Sequence, residues 1–91
     1  MERGYVYMLT NFYHTVLYTG VTSNLQKRIN EHRNKSLGGF SARYNLNIVV
    51  YYEQLPNIMA AIEREKQIKR LSRHRKELII NKVNPNWDNL L

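Results

Sequence analysis

Two short runs rich in aromatic and β-branched residues, GYVYMLT at residues 4–10 and VLYTGV at residues 16–21, are separated by only five residues with polar ends. So short a connection restricts the pair to close neighbours, and the pattern predicts an antiparallel hairpin. Tyr5 and Tyr7 have the same parity, so a regular strand turns both toward one face. Gly20 falls inside the second run, where a glycine marks a bulge or a close backbone approach.

A helix signal follows at once. Ser23 and Gln26 have the spacing of a capping box, which predicts a helix over residues 24–34 with Ser23 as its N-cap. Leu25, Ile29 and His32 recur at i, i+4 and i+7 on its apolar stripe, and Arg28 precedes His32 by four residues. A loop with two glycines is expected at residues 36–39 and a short turn of helix at residues 40–44. Residues 47–55 (NIVVYYEQL) form the strongest strand pattern, ended by Pro56. Asn57 is placed to cap a helix reaching about residue 71, and a last helix is expected over residues 73–82. Pro85 then prevents helical continuation. The expected class is α+β, with strands and helices sharing one layer arrangement.

A chain of 91 residues makes a single domain, here read as residues 1–91 with a core over about 3–80 and a tail from 81 to 91. Such a domain has a thin core, and without cysteine neither a disulfide nor a thiolate–zinc site can reinforce it. Fourteen Lys and Arg against seven Asp and Glu give a net charge of +7. That excess attracts polyanions, with nucleic acid as the leading partner and an anionic membrane surface as the weaker one. No apolar run resembles a secretory signal, and the apolar stretch at residues 48–52 is far too short to span a bilayer. A soluble, cytoplasmic protein is therefore expected, with no membrane partner.

The later helix carries the most informative single residue. Glu65 lies three positions after Ile62 and three before Ile68, inside the apolar stripe of Ile58, Ala61, Ile62 and Ile68, while Glu63 faces outward. A carboxylate turned toward the body of a domain needs a cationic partner or a metal. Lys69, four residues on, and Arg28 across the fold are the structural partners available. Tyr7 and Tyr18 read either as strand packing or as hydroxyls that handle a proton. Arg28 and His32 read either as an exposed charge and a satisfied histidine or as parts of a site. His14 and His74 are expected to face solvent. Lys66, Lys69, Arg70, Arg73, Arg75 and Lys76 form either a solvated face or a ridge that contacts phosphates. There is no Cys/His cluster, phosphate-binding GxxxxGK[ST] loop or G-x-S-x-G elbow.

Taken in order, these residues resemble the GIY-YIG nuclease superfamily. The resemblance starts at Gly4-Tyr5-Val6-Tyr7 and Tyr18-Thr19-Gly20. It continues through residues 21–25 with Arg28 and His32, reaches Ala61, Glu65 and Lys69, and so covers nearly the whole chain. The tail at residues 84–90 is similar to that of small stand-alone bacterial members, most without an assigned role. Tyr5 stands where the name-giving motif has Gly, and Thr19 stands where it has Ile.

The resemblance implies a three-stranded antiparallel sheet flanked by helices, in agreement with the elements above. It also implies metal-dependent endonuclease cleavage of a DNA phosphodiester bond. Structure-specific cutting in repair or recombination is then one role, on branched or single-stranded DNA, with RNA also open. Glu65 would hold a divalent cation, Mg²⁺ or Mn²⁺, because a hard carboxylate suits a hard ion. Arg28 would neutralise phosphoryl charge. Arg28 and the metal are expected to lower the phenol pKa of Tyr7 or Tyr18 so that one can act as base, with Tyr7 favoured and His32 competing for that role. Gly20 would let substrate approach, Lys66, Lys69, Arg70 and Arg73 would contact nucleic acid, and Asn84 would place the tail near the site. Two other readings accompany this one. The chain is then a nucleic-acid-binding module that does not cut, or an interaction protein whose Trp87 tail docks on a protein partner.

Overall fold

The structure, a computed structural model, describes residues 3–35, 39 and 43–91. Among these residues the elements run β1 (Gly4–Thr10), β2 (Leu17–Thr22), α1 (Leu25–Arg33), β3 (Ile48–Leu55), α2 (Ile58–Lys69) and α3 (Arg73–Val83). The expected loop at residues 36–39 and helical turn at residues 40–44 lie for the most part outside the described residues.

The three strands make one antiparallel sheet in the order β2-β1-β3, as the sequence implied. β1 lies at its centre and is buried along almost its whole length. One face carries Val6 and Met8 with Val50 and Tyr51, packed against Ala61 and Ile68 of α2 and Ile80 of α3. The other carries Tyr7, Leu9 and Val49, packed against Leu25 and Ile29 of α1 and against Leu46. Val50 and Tyr51 are consecutive yet face the same side, because the β1–β3 register shifts between Met8 and Leu9. That bulge, not foreseen in the sequence, adds one residue to β3. Gly4 lets the start of α2 close on β1, since a Cβ there would lie 2.5 Å from the Ala61 Cβ.

Several boundaries differ from expectation by a residue or two, and three of them do so through a side chain competing for a backbone group. β2 begins at Leu17 rather than residue 16 because Asn11 Oδ1 accepts from the Val16 and Thr15 amides at 3.1 and 2.9 Å. The α1 N-cap is Asn24, not Ser23. Its Oδ1 accepts from Lys27 N at 3.1 Å, the Thr22 hydroxyl takes the Asn24 amide at 3.1 Å, and Gln26 bonds Asn30 instead of reaching back. α2 stops at Lys69 because Ser72 is needed in extended conformation to cap α3, where its Oγ accepts from Arg75 N at 3.2 Å. Asn57 caps α2 as expected, accepting from Ala60 N at 2.8 Å.

The tail closes the outer edge of β3. Asn84 donates to the Val50 and Asp88 carbonyls at 3.0 and 2.9 Å, Asn89 Oδ1 accepts from Val49 N at 3.1 Å, and Leu90 N donates to Val49 O at 2.9 Å. Such cover removes an edge that would otherwise template pairing. Among the described residues, no helix is long and apolar enough to cross a membrane.

Thr19, at the position where the motif has Ile, is 5% exposed, and its hydroxyl has no hydrogen-bond partner among the described residues. A buried polar group without a partner is destabilising. Thr19→Val keeps the shape and removes that group, and is expected to stabilise the fold by about 1 kcal/mol or more. The change should appear as a higher urea midpoint at unchanged m-value.

Candidate active site

The α1-facing side of the sheet gathers Tyr7 of β1, Tyr18 of β2 and His32 of α1. Their ring centroids are 6.4 Å (Tyr7–Tyr18), 5.7 Å (Tyr7–His32) and 5.6 Å (Tyr18–His32) apart. Gly20 makes this possible. It pairs with Tyr7 across the hairpin, and a Cβ at Gly20 would collide with the Tyr7 ring and hydroxyl. The glycine therefore marks a close approach within an unbroken β1–β2 register, the second of the two alternatives read from sequence.

The Tyr7 hydroxyl lies 2.9 Å from Nε2 of His32, and both side chains are buried. The charge of Arg28, one turn before His32, acts on Tyr7, and that of Glu65 acts on it more weakly. Tyr7, Tyr18 and His32 thus meet as rings, with Arg28 and Glu65 near enough for their charges to act on Tyr7. Arg28 is shared with Glu31, 3.4 Å away. Glu31 escaped the sequence reading, although its i+3 spacing from Arg28 was a usable signal.

Burial dominates the electrostatics of the pair. Burial raises the Tyr7 pKa well above the ordinary phenol value. The nearby Tyr18 adds to the rise, and Arg28 lowers it only in part. Tyr7 therefore stays protonated at neutral pH and is not a free phenolate. His32 shifts the other way. Burial first and Arg28 second push it below the ordinary imidazole value, against the smaller opposing effect of Glu31. A neutral His32 beside a protonated Tyr7 is an acceptor–donor pair.

Glu65 has 14% of its side chain exposed and pairs with Lys69 at 3.2 Å, the structural partner available four residues on. Among the described residues, no group of three or more His, Cys, Asp or Glu side chains could hold a metal. The donor set still fits a hard cation that keeps most of its water, because one carboxylate suffices for it. Lys69, with 53% of its side chain exposed, is able to swing aside.

The cations of the expected phosphate ridge differ in how they are held. Lys66 and Arg70 are exposed, but Arg73 is engaged within the fold. It donates to Glu77 at 2.7 Å, to the Thr15 carbonyl at 3.1 Å and to the His14 carbonyl at 2.7 Å, and lies 5.9 Å from the Trp87 ring. Trp87 in turn donates to Asn81 at 2.6 Å and stacks on the otherwise exposed His14. Asn84 does hold the tail, but against β3. A second polar cluster was not read from sequence. Tyr51 donates to Glu53 at 2.7 Å and Arg64 to the same oxygen at 3.0 Å, with burial pushing Tyr51 up to about 12.

Fold and site together define a known class of catalytic domain. Residues 3–85 match the family model of the GIY-YIG catalytic domain, and the chain belongs to that family. It is 37% identical over 89 residues to a UPF0213 protein of Syntrophus aciditrophicus, covering 93% of this chain and 97% of that one. It is 38% identical over 80 residues to a UPF0213 protein of Natronomonas pharaonis, covering 84% and 88%. The solution structure of a UPF0213 protein from Bacillus halodurans superposes with a TM-score of 0.58 at 26% identity, over 96% of this chain and 92% of that one. Domains of this family are in general nucleases that use divalent metal ions and act on DNA.

Gly20→Ala forces the buried Tyr7 ring to move. It is expected to destabilise the protein by about 1–3 kcal/mol, the usual cost of overpacking. Chemical denaturation gives the loss, and the His32 imidazole resonances should shift as the Tyr7 contact is disturbed.

Proposed function

We propose that this protein is a metal-dependent endonuclease that hydrolyses a DNA phosphodiester bond at the Tyr7 cluster. One observation carries the reading: the Tyr7 hydroxyl meets the His32 imidazole at 2.9 Å, with the Arg28 and Glu65 charges near enough to act on it.

The proton path follows from the pKa directions. An attacking water passes its proton to the Tyr7 oxygen as the Tyr7 proton moves to Nε2 of His32, so tyrosine relays and histidine accepts. This relay avoids the buried phenolate that the site disfavours. It also gives Tyr7 and His32 joint parts in place of the rival ones left open by sequence. Tyr18, within ring distance of both, confines the relay. Arg28 offers its fork to the phosphoryl oxygens as charge grows on them. Glu65 would hold Mg²⁺ or Mn²⁺, which when bound polarises the phosphate and stabilises the leaving oxygen. Lys66, Lys69 and Arg70 are the cations available to steer the strand.

The test is incubation of labelled single-stranded, duplex, flapped and branched DNA with the protein, in Mg²⁺, Mn²⁺ or EDTA. Cutting should require metal. Arg28→Ala and Glu65→Gln should each lower kcat by about 10²–10³-fold, and Tyr7→Phe by about 10²–10⁴-fold. Intact turnover in the Glu65 variant would reject the scheme, whereas binding without cutting on every substrate would favour a non-catalytic module.

The pH profile tests the histidine separately. His32 is depressed, so the base is free until pH falls below its folded pKa. The acid limb of kcat/KM should lie below about 6.5, the ordinary imidazole value. Stability follows the same sign. The contribution of neutral His32 is fully present above the unfolded value and is lost as pH falls through the lower folded one. His32→Gln should remove that limb and flatten that part of the stability profile.

A further inference from the structure

Beside the Tyr7 cluster lies an open pocket of about 420 Å³, within the range of ordinary ligand clefts. Tyr5, Tyr52 and Gln54 line it from the sheet, and Ser23, Asn24 and Gln26 from the start of α1. Leu25 and Leu91 supply the apolar remainder. Among the described residues its lining carries no charged side chain.

The pocket lies on the Tyr7 face of the sheet, toward β3. Tyr52 stands directly across from Tyr7, and Gln54 directly across from Tyr5. Cross-strand neighbours are roughly 5 Å apart, and Tyr5 is two residues from Tyr7 on the same face. Asn24 is one helical turn from Arg28. The opening is thus about 6 Å along α1 from Arg28, within the reach of a nucleotide whose phosphate Arg28 holds.

The chemistry of the lining selects that part. Without a cation the pocket offers nothing to a second phosphate. It offers two phenol rings, one on Tyr52 at 43% exposure and one on the half-buried Tyr5. Tyrosine rings stack on nucleobases of any identity, and amide side chains can hydrogen-bond a base edge. Asn24 is committed to capping α1 and Gln26 to Asn30. The side chains of Gln54 and Ser23 and the hydroxyls of Tyr5 and Tyr52 make no protein hydrogen bond among the described residues. The pocket is thus flat-walled, uncharged and supplied with polar atoms still available to a ligand.

We propose that it receives the nucleobase next to the scissile phosphate, stacked against Tyr52 and Tyr5 and hydrogen-bonded by Gln54. This rests on the nuclease reading for its position, but the binding chemistry stands on the pocket alone. A base seated there has left its own stack, so the strand must be unpaired at that nucleotide.

The full chain is titrated with deoxyadenosine and thymidine 5′-monophosphates, and in parallel with inorganic phosphate, while backbone amide resonances are followed. Shifts at Tyr5, Asn24, Tyr52 and Gln54 with the nucleotides but not with phosphate are expected. Tyr52→Ala and, as a variant that keeps the strand filled, Gln54→Leu should each weaken that binding about tenfold. Equal shifts with phosphate alone, or nucleotide shifts confined to other surfaces, would overturn the proposal even if the protein cuts DNA. The nuclease reading fails on a different result, the absence of metal-dependent cutting, which leaves the titration informative. With cleavage in hand, both variants should raise KM for a single-stranded oligonucleotide about tenfold at little-changed kcat.

Discussion

The Tyr7 ring lies where a side chain at position 20 would be, and the site depends on that substitution of one residue's volume by another's. With no Cβ at Gly20, the phenol can lean across the hairpin and bring its hydroxyl against α1, where His32 receives it at 2.9 Å. The contact joins the central strand to the first helix. It also satisfies two buried polar groups that would each be unfavourable alone. Packing and chemistry therefore share one constraint.

The same burial sets the protonation states. A phenol out of water resists ionising, and an imidazole out of water resists protonation. Arg28 lowers the pKa of both Tyr7 and His32, but desolvation is the largest influence on each. The result is a pair poised to pass a proton rather than a charged base waiting for substrate. Across the sheet, the bulge opposite Met8 and Leu9 lets β3 present Val50 and Tyr51 together to α2 and α3, so the thin core is filled without disturbing the β1–β2 register.

Much of this was legible in the residues. The strand patterns at residues 4–10 and 47–55, the Asn57 cap and the i+4 pair of Glu65 with Lys69 are local, and local physics writes them into the sequence. Three misplaced boundaries had a common origin, because Asn11, Thr22 and Ser72 offered backbone groups a side-chain partner that periodicity does not register. The bulge depends on pairing between distant strands. The identity of the candidate catalytic residues came from motif order, but the meeting of Tyr7 with His32 did not. The burial that raises the Tyr7 pKa was not legible, because its depth is a property of the packed sheet and not of its neighbours in sequence. Nothing in the sequence around Arg73 announced that the hairpin turn would bring two carbonyls to it.

The position of β1 also bears on how the chain assembles as it leaves the ribosome. The strand that becomes the middle of the sheet is made first, with β2 close behind, and can pair early as an isolated hairpin. Its other flank must wait for Ile48–Leu55, and the cover over that last strand arrives later still with Asn84 to Leu90. Until then Val6 and Met8, destined for the interior, have no helix to meet. Such a nascent hairpin offers both an apolar face and a free edge. The order of synthesis thus leaves the most deeply buried strand the longest exposed, and makes rapid completion of the later segments part of what keeps the young chain from associating with its neighbours.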